Sequence, residues 1–548
     1  MIGGILLLRL HAFVALVLAA LIVSTLTPPE LILRSQSIQY SVPVRIQSAA
    51  DGGFVLTSTQ EINTQQSWSL LGISGETVPQ TSEFRLVSTD VSGQFLLASG
   101  SERAIDFLWK GIGQAGGSGD YLIVPTSRLE GGLKLARQPA TQRVSEALGN
   151  ACGKLAILIA AASIIGTAML QSGSADRIVT STLERFGERG APFAFAVSGF
   201  TLAIPVFFDT VFLLMMPLGI ALFRKTKRNY LLSVLSIVVG GTMAHSLVPP
   251  TPGPLLIAEA FQVPMLSMVI GGTLVGLFGS ATGLALAFWI NQRAMLVPPD
   301  EQVVRQIQQS DESPKSMPGI IEALLPVFLP ILQMTLDAGF DSDTRSWSIG
   351  PVRLGTAVSE TLHTCCEKST AIMIGAVCSI VTWVRFQRPG RDAIASHLQT
   401  AITGAGTIIL VTAAGGAFGA ILQQTSIAES LGDLPMSSPL IIVIASFLVT
   451  AAVRTAQGSA TVAMMTSAGI FGGIVTSGAA GVDPLWVALA VGCGSKPFPW
   501  MNDSGFLVIT RMSGMTESEG LRYVSPVMST AGCAGLVAII LGMFVLGP

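Results

Sequence analysis

Charged residues are scarce in this chain of 548 residues: Asp, Glu, Lys and Arg together make up 12%, and the formal net charge is −2. That balance gives no basis for binding nucleic acid. The six cysteines lie in or beside apolar segments and lack the C-x-x-C spacing of a metal or redox site, so we expect packing residues. A Walker phosphate-binding loop and the His-Glu-x-x-His spacing are both missing from the sequence, which argues against use of ATP and against that class of metal site. No cofactor other than a coupling ion is expected.

The sequence is instead rich in apolar residues, which account for 50% of it, and its mean hydropathy is +0.63. Most of the chain therefore belongs in lipid. The first apolar run, residues 10–27, has no clean cleavage site of small residues before Pro28, which favours a retained membrane helix over a signal peptide.

Two polar regions interrupt the apolar sequence. The larger, residues 30–142, contains strand-like runs separated by Gly, Ser and Asp; they lie at residues 40–46, 84–88, 94–98 and 121–124. The smaller, residues 292–318, is typical of a linker.

The apolar sequence also contains an internal repeat. Residues 153–178 align with residues 406–431 at a constant offset of 253, with six identities in 26 ungapped positions. Duplication of a hydrophobic chain is typical of secondary transporters, whose halves rock around a central site.

Basic residues indicate that the two repeats have opposite orientations. Residues 171–192 contain three arginines and residues 224–228 contain four more basic residues, whereas the equivalent segments 424–439 and 471–484 contain none. Because short cytoplasmic loops are enriched in Lys and Arg, the first pair of loops is predicted inside and the second pair outside.

This topology predicts two re-entrant hairpins. The 31-residue apolar stretch 193–223 must enter and leave on one side, and a single crossing needs only about 20 residues, so a helical hairpin bent near Pro205 fits. Residues 440–470 form its mirror image, with the tip between Arg454 and Ser459. Re-entrant backbone is tolerated only where it is buried in protein or lines a watery cavity, so two facing hairpins predict a central cavity.

The predicted fold is an all-α polytopic membrane protein with two inverted repeats, re-entrant helical hairpins and broken helices, plus a small β-rich extracytoplasmic insert. We expect a multi-pass protein of the bacterial inner membrane. The predicted segments are a first transmembrane helix (1–29), the insert (30–142), repeat 1 (143–291), a cytoplasmic linker (292–318), connecting transmembrane helices (319–391) and repeat 2 (392–548).

A carboxylate and a histidine lie within the apolar sequence of the first repeat. Asp209 follows Pro205 in a long apolar run, where a charge is costly and by default functional; the alternative is a carboxylate satisfied by hairpin-tip N–H groups. His245 precedes a segment that cannot continue a helix and can carry a proton near neutral pH, although an interhelical hydrogen bond explains it nearly as well. The predicted helix-breaking and site-lining residues of that segment are Pro249, Pro250, Thr251, Pro252 and Gly253.

The second repeat contains a polar cluster around an arginine, whose members are Arg454, Gln457, Gly458, Ser459 and Thr461. A guanidinium forks onto a carboxylate, and neighbouring hydroxyls and an amide suit a polyhydroxylated acid. The alternative is an internal ion pair of Arg454 with Asp209 or Asp503.

A second polar break, Asn502, Asp503, Ser504 and Gly505, takes the position that the proline break holds in the first repeat. It is predicted to line the site, although in isolation it would be a turn. Lys496 either snorkels or neutralises Asp503.

Taken in order, these segments resemble the gluconate:proton symporter (GntP) family of the ion-transporter superfamily. The matching stretches are SGFTLAIPVFFDTVFLLMMPL, AHSLVPPTPGPLLIA, TAAGGAFGAIL, VRTAQGSATVAMMTSAG and NDSGF, and the resemblance covers about residues 146–546 and the first helix. It implies a proton-coupled permease for gluconate-like sugar acids, with relatives that carry D-serine and other small hydroxy or amino acids.

This chain departs from the family pattern in three places. Thr251 stands where the family's proline segment usually has a second histidine, which argues against a two-histidine proton relay. A family helix before Arg9 is reduced to residues 1–8, and the insert is not a family feature. The insert either recognises wall material or captures ligand, or it is an inert elaboration.

Our hypothesis is symport of a small organic acid through a site embedded in the bilayer, with homo-oligomerisation left open. The substrate carboxylate pairs with Arg454, while Gln457, Ser459 and Thr461 read its hydroxyls. Gly458, Asn502 and Thr251 complete the substrate site, and the coupling proton is carried by Asp209, His245 and Asp503.

A different coupling ion and two other functional classes are the alternatives to this hypothesis. Sodium coupling is the main alternative, since Asn502, Ser459 and freed carbonyls can bind Na⁺. A ligand-gated sensor would need an intracellular output module, and the longest inner segment has only about 28 residues. A membrane enzyme would need a nucleophile–base pair, which the sequence does not offer.

Overall fold

The computed structural model describes residues 12–39, 41–48, 54–58, 62, 67–71, 83–84, 86–88, 94–97, 118–294, 296, 298, 316–337, 340–341, 346–349, 352–353, 356–422, 424–425, 438–476 and 481–547. Most of the predicted linker and residues 426–431 of the second repeat copy lie outside this set. The chain forms two compact units: the larger comprises residues 1–18, 147–419 and 432–548, and the smaller comprises 19–146 and 420–431.

The smaller unit combines helices with an antiparallel sheet. The first described helix is α1 (Ala12–Leu26). The elements that follow it in the smaller unit are α2 (Pro29–Gln39), β1 (Val42–Ser48), β2 (Phe54–Thr57), β3 (Trp68–Leu71), β4 (Glu83–Phe84), β5 (Leu86–Ser88), β6 (Gln94–Leu97), β7 (Ser118–Pro125) and α3 (Thr126–Arg137). The strands form one sheet in the order β4-β3-β7-β1-β2-β6-β5. Every described pairing in this sheet is antiparallel.

One face of this sheet is buried because alternate residues of a strand point the same way. Val44 and Ile46 of β1 are buried, and Arg45 between them lies opposite Thr57 of β2. The sequence reading of residues 30–142 contained strands only, whereas α2 and α3 lie at its two ends and pack against each other. Leu33 of α2 packs with Leu129 of α3, so the apolar residues of two short helices serve as core.

The larger unit begins with seven helices, which are α4 (Ala140–Gln171), α5 (Ser174–Phe186), α6 (Ala191–Leu202), α7 (Phe208–Thr226), α8 (Tyr230–Leu247), α9 (Pro252–Ala260) and α10 (Met265–Asn291). A connecting region follows, with α11 (Ile320–Asp337), β8 (Phe340–Asp341), β9 (Ser346–Ile349), β10 (Val352–Arg353), α12 (Thr356–Cys366) and α13 (Lys368–Gln387). The last helices are α14 (Arg391–Leu422), α15 (Pro439–Gln457), α16 (Ala460–Thr476), α17 (Pro484–Gly494), α18 (Ser504–Ser513) and α19 (Glu517–Leu546).

Eight helical stretches in the described part of the chain are long and apolar enough to cross a membrane. Large apolar side chains such as Leu274, Val377 and Phe544 are exposed on them, as expected for surfaces that face lipid. Helix α8 is the exception, because all its residues except His245 are buried. It is therefore the central helix of the first half, and its one incompletely buried residue is a predicted site residue.

The order of elements occurs twice. A long helix (α4 or α14) precedes a hairpin (α6–α7 or α15–α16), a broken helix (α8–α9 or α17–α18) and a second long helix (α10 or α19). The contacts between the halves are reciprocal as well: α7 packs against α18, α9 packs against α16, and α10 packs against α19. Exchanging the two halves leaves this set of contacts unchanged.

Local sequence explains where the helices break. Pro205 lies in the turn between α6 and α7, and Pro249 and Pro250 lie between α8 and α9, where a proline cannot supply a helical N–H. Pro252 is the first residue of α9, a position that tolerates proline. Gly458 ends α15 with φ of +78°, and its N–H donates to the carbonyl oxygen of Arg454 at 2.8 Å.

The crossing of α14 and α16 yields a stability prediction. A Cβ on Gly419 would lie 2.8 Å from the Cα of Gly469, so Gly419→Ala must push the two backbones apart. We expect it to destabilise the protein by about 1–3 kcal/mol and to lower the apparent melting temperature in detergent.

Gly406→Ala is the matched control on the same helix, because no atom lies within 4 Å of a Cβ at Gly406. It should leave stability unchanged or raise it by about 0.5–1 kcal/mol, since alanine favours a helix over glycine. Equal melting temperatures for the two variants would contradict the close crossing.

Candidate functional site

A cavity of about 500 Å³ lies in the larger unit, where the helix breaks and the hairpin turns meet. Its walls come from α4, α8, α14 and α19, from the first turns of α7, α16 and α18, and from the segments that precede those turns. Ten serines and threonines line it, and they are Ser163, Thr167, Thr210, Thr242, Thr400, Thr407, Thr412, Ser459, Thr461 and Ser504. The cavity therefore offers many hydroxyl groups to a ligand.

Seven of the residues predicted for the site line this cavity: Asp209, His245, Arg454, Ser459, Thr461, Asp503 and Gly505. They come from both halves of the chain. A Cβ on Gly505 would lie 3.3 Å from Oδ1 of Asp503 and 3.7 Å from Oδ1 of Asp209, which places both carboxylates beside the same backbone position.

The guanidinium of Arg454 connects the turn between α15 and α16 to both ends of the break between α17 and α18. Its Nε donates to the carbonyl oxygen of Ser495 at 3.0 Å, Nη1 donates to that of Gly458, and Nη2 forms an ion pair with Oδ2 of Asp503. Arg454 is only 3% exposed and Asp503 only 4%. This is the internal ion pair that the sequence left as the alternative to direct substrate contact.

Asp503 is held at both of its oxygens. While Oδ2 accepts from Arg454, Oδ1 accepts the N–H of Gly505 at 2.8 Å and so caps the N-terminus of α18. N-terminal N–H groups of a helix lack intrahelical acceptors, and an aspartate in this position satisfies one of them. The buried charge of Asp503 is thus compensated within the protein.

Asp209 is in a different situation. It lies in the first turn of α7, and the structure gives its side chain no hydrogen bond or ion pair with any described residue. Asp503 and Arg454 are near enough to act on it electrostatically, with opposite signs. Its carboxylate is therefore open to the cavity and to a proton.

Lys496 is the second cation of the cavity. It follows α17, is 2% exposed, and forms no hydrogen bond or ion pair through its ammonium group with any residue that the structure describes. Arg454 and Asp503 act on it electrostatically, again with opposite signs. The cavity lining thus contains two carboxylates and, besides His245, two basic side chains, and of these four groups only Arg454 and Asp503 are paired directly among the described residues.

His245 lines the cavity from α8. Its ring lies edge-on to that of Phe207, with 6.1 Å between centroids. Its Nδ1 is buried and has no hydrogen-bond partner among the described residues. No described residue therefore holds the imidazole through Nδ1.

The other residues predicted to contact substrate do not line the cavity. Thr251 Oγ1 donates to the carbonyl oxygens of His245 and Val248, both at 2.9 Å, and so closes the end of α8. Asn502 Nδ2 donates to the carbonyl oxygen of Thr455 at 2.9 Å. Gly458 packs against the backbone of Asn502, and Gln457 is buried beside it.

The predicted helix-breaking residues also lie outside the lining, except Gly505. Pro205, Pro249 and Pro250 shape the turns, while Pro252 and Gly253 begin α9. Gly253 packs against the side chain of Met464 in α16, so the first break supports the second hairpin.

Sequence reasoning missed the hydroxyl groups of the two long helices. Ser163 and Thr167 of α4, and Thr407 and Thr412 of α14, line the cavity. Both pairs lie inside the internal repeat, and Ser163 and Thr167 are four residues apart, on one face of a helix. Polar residues at helical spacing within a repeated apolar segment were the available signal.

The arrangement suits a small organic anion. Three helices, α7, α16 and α18, begin at the cavity, and helix N-termini stabilise negative charge. Among the described residues, no cluster of His, Cys, Asp and Glu side chains could hold a metal ion.

Comparison with known proteins connects this site to a family. The model of the GntP family permeases matches residues 129–545. An uncharacterized permease from Haemophilus influenzae is 29% identical over 416 residues, which is 74% of this chain and 83% of the relative. A gluconate permease from Pseudomonas aeruginosa is 26% identical over 405 residues, or 73% of this chain and 87% of the relative.

Two further similarities extend the comparison. The Gnt-II system L-idonate transporter of Escherichia coli is 25% identical over 407 residues, which cover 73% of this chain and 89% of that protein. The crystal structure of the YdaH transporter of Alcanivorax borkumensis matches with a TM-score of 0.53 at 14% identity, covering 85% of this chain and 94% of that one, a likeness of fold alone.

The hydroxyl-lined cavity between two repeated sets of broken helices, the apolar helices around it and the family match over residues 129–545 agree. This multi-pass membrane protein is a transporter rather than an enzyme, and it belongs to the GntP permease family.

Proposed function

We propose that this protein is a secondary transporter that takes up gluconate, or a related small sugar acid, across the inner membrane by proton-coupled symport. The observation that carries the proposal is the cavity itself, where ten serines and threonines surround two cations and an unpaired carboxylate. The relatives named for gluconate and L-idonate support a sugar acid as the substrate class.

The reciprocal contacts between the halves support an inverted repeat. The loops of the first half contain seven basic residues, whereas the equivalent segments of the second half contain none. Because short cytoplasmic loops are enriched in Lys and Arg, this difference supports opposite orientations of the two halves. Alternating access then consists of one half rocking against the other around the cavity. In this topology the sheet-containing residues 30–142 lie on the extracytoplasmic side.

Ser459 and Thr461, at the start of α16, contact the hydroxyl groups of the substrate. The first N–H groups of this helix have no acceptor within it, and Ser459 Oγ accepts only the more distant N–H of Val462, at 3.4 Å. The N-terminus of α16 thus combines hydroxyls with a partial positive charge.

Charge balance assigns the proton to Asp209. With His245 neutral, Asp209, Asp503, Arg454 and Lys496 sum to zero in the empty cavity. A bound monocarboxylate adds one negative charge, and a proton on Asp209 restores neutrality. Because uncompensated charge is costly at membrane depth, substrate and proton enter together, one for one.

One observation favours sodium as the competing coupling ion. Asn502 Oδ1 is buried without a hydrogen-bond partner in the described part of the chain, and carbonyl oxygens of this kind are sodium ligands. The uptake experiment below therefore compares both ions.

A proton gradient alone should drive uptake. Proteoliposomes with an inward proton gradient should accumulate labelled D-gluconate equally with Na⁺ or choline outside. A membrane potential alone, imposed with potassium and valinomycin, should drive no accumulation, because one proton and one monocarboxylate move no net charge. Accumulation that requires Na⁺ would replace the proton with sodium as the coupling ion.

Substitution of Asp209 should separate accumulation from exchange. Asp209→Asn mimics the protonated side chain, so loaded protein can still change sides although it cannot release the proton. Gradient-driven accumulation should fall to the level of empty liposomes, at least twentyfold, while exchange of external labelled for internal unlabelled gluconate persists.

Asp483→Asn is the matched control, because Asp483 is an exposed N-cap residue and asparagine caps helices equally well. It should retain both activities. Continued accumulation by Asp209→Asn would show that Asp209 does not carry the coupling proton.

A further inference from the structure

We infer that Lys496 binds the carboxylate of the substrate. Arg454 instead positions the hairpin turn and the helix break that surround the binding site. The inference rests on the proposed function, since it names the group that recognises the acid. It changes the role that the sequence suggests for Arg454, whose guanidinium has the more familiar geometry for a carboxylate.

The hydrogen bonds of Arg454 leave it little capacity for a ligand. Three of its five N–H groups are directed to Ser495, Gly458 and Asp503, and the last of these partners already supplies a full negative charge. Pairing with a substrate carboxylate would require Arg454 to share or release Asp503. That exchange would leave a buried carboxylate uncompensated, which is costly.

Lys496 has the opposite properties. Its ammonium group has no direct partner among the described residues, although the side chain is 98% buried and lines the cavity that holds Ser459 and Thr461. A buried cation without a counter-ion is expensive in a membrane protein, and the usual explanation is a functional one. An anionic ligand supplies the missing partner.

The base of the Lys496 side chain is fixed in place. Its backbone N–H donates to the carbonyl oxygen of Cys493 at 3.1 Å, and α19 passes close by, because a Cβ on Gly532 would lie 2.8 Å from Cβ of Lys496. Lys496 thus carries its ammonium group on a flexible four-carbon stem whose base is held by the fold.

The other titratable groups of the cavity agree with this assignment. Asp503 is bound by Arg454, and Asp209 is the proposed proton carrier. His245 is the remaining titratable group of the lining, and its Nδ1 is buried without a hydrogen-bond partner among the described residues. Lys496 is therefore the cation left for the substrate, and a monocarboxylic acid with neighbouring hydroxyls is the ligand class.

Binding measurements on the full-length protein in nanodiscs test the inference. The probes are D-gluconate and its neutral analogue D-gluconamide, and the variants are Lys496→Gln and Lys496→Arg. Lys496→Gln should weaken gluconate binding at least thirtyfold while gluconamide binding changes less than threefold. Lys496→Arg should recover part of the gluconate affinity because it keeps the cation.

Two readouts separate recognition from a structural role. Ligand-free Lys496→Gln should melt at or above the wild-type temperature, since it removes an unpartnered buried charge, whereas Arg454→Gln should melt lower because it strands Asp503. Lys154→Gln is the control for loss of a lysine, since Lys154 is exposed and pairs with Glu259 at 3.0 Å. It should bind gluconate like the wild type.

The outcomes distinguish this inference from the proposed function. Unchanged gluconate affinity in Lys496→Gln, or equal loss for gluconate and gluconamide, would overturn the role of Lys496 and leave the transporter assignment standing. Failure of folded wild-type protein to bind D-gluconate, L-idonate and D-serine would overturn the proposed function, and the Lys496 inference with it.

Discussion

The ion pair between Arg454 and Asp503 holds the second half of the larger unit together. The guanidinium of Arg454 contacts the tip of the second hairpin, the end of α17 and the start of α18. Only 3% of Arg454 is exposed. Removing either charge would leave the other buried and unpaired, at a cost of about 3–5 kcal/mol. The first half uses other means, since prolines form its break and Thr251 donates to the free carbonyls at the end of α8.

This difference explains how one cavity can contain both rigid and responsive charges. Asp503 is compensated by a helix N-terminus and by Arg454, so its state is fixed by the fold. Asp209 and Lys496 lack such direct partners in the described part of the chain, and they line the same space. Buried charges without partners are unfavourable for stability, and they are expected at functional sites, where a bound ligand supplies the partner. In the proposed cycle, the substrate and the proton supply the missing partners.

Much of this architecture was predictable from hydropathy and charge. An apolar run too long for one crossing and too short for two, with basic loops at both ends, predicts a hairpin, and α6 and α7 break where Pro205 lies. The pairing of Arg454 was not predictable, because the sequence favoured the substrate carboxylate as its partner and left Asp209 and Asp503 undistinguished as the alternative. Thr251 and Asn502 illustrate a further limit: a polar residue beside a break serves the freed backbone as readily as a ligand, and only the three-dimensional contacts distinguish the two.

The position of the two carboxylates relates binding to movement. Asp209 belongs to the first half and Asp503 to the second, and they approach the same side of Gly505 where α7 packs against α18. Any displacement of one half against the other changes the distance between these charges, and their interaction varies inversely with that distance. In the proposed symport cycle, a proton on Asp209 abolishes the repulsion, so the two protonation states favour different arrangements of the halves. We propose that the contact between α7 and α18 supplies the differential free energy that such coupling requires.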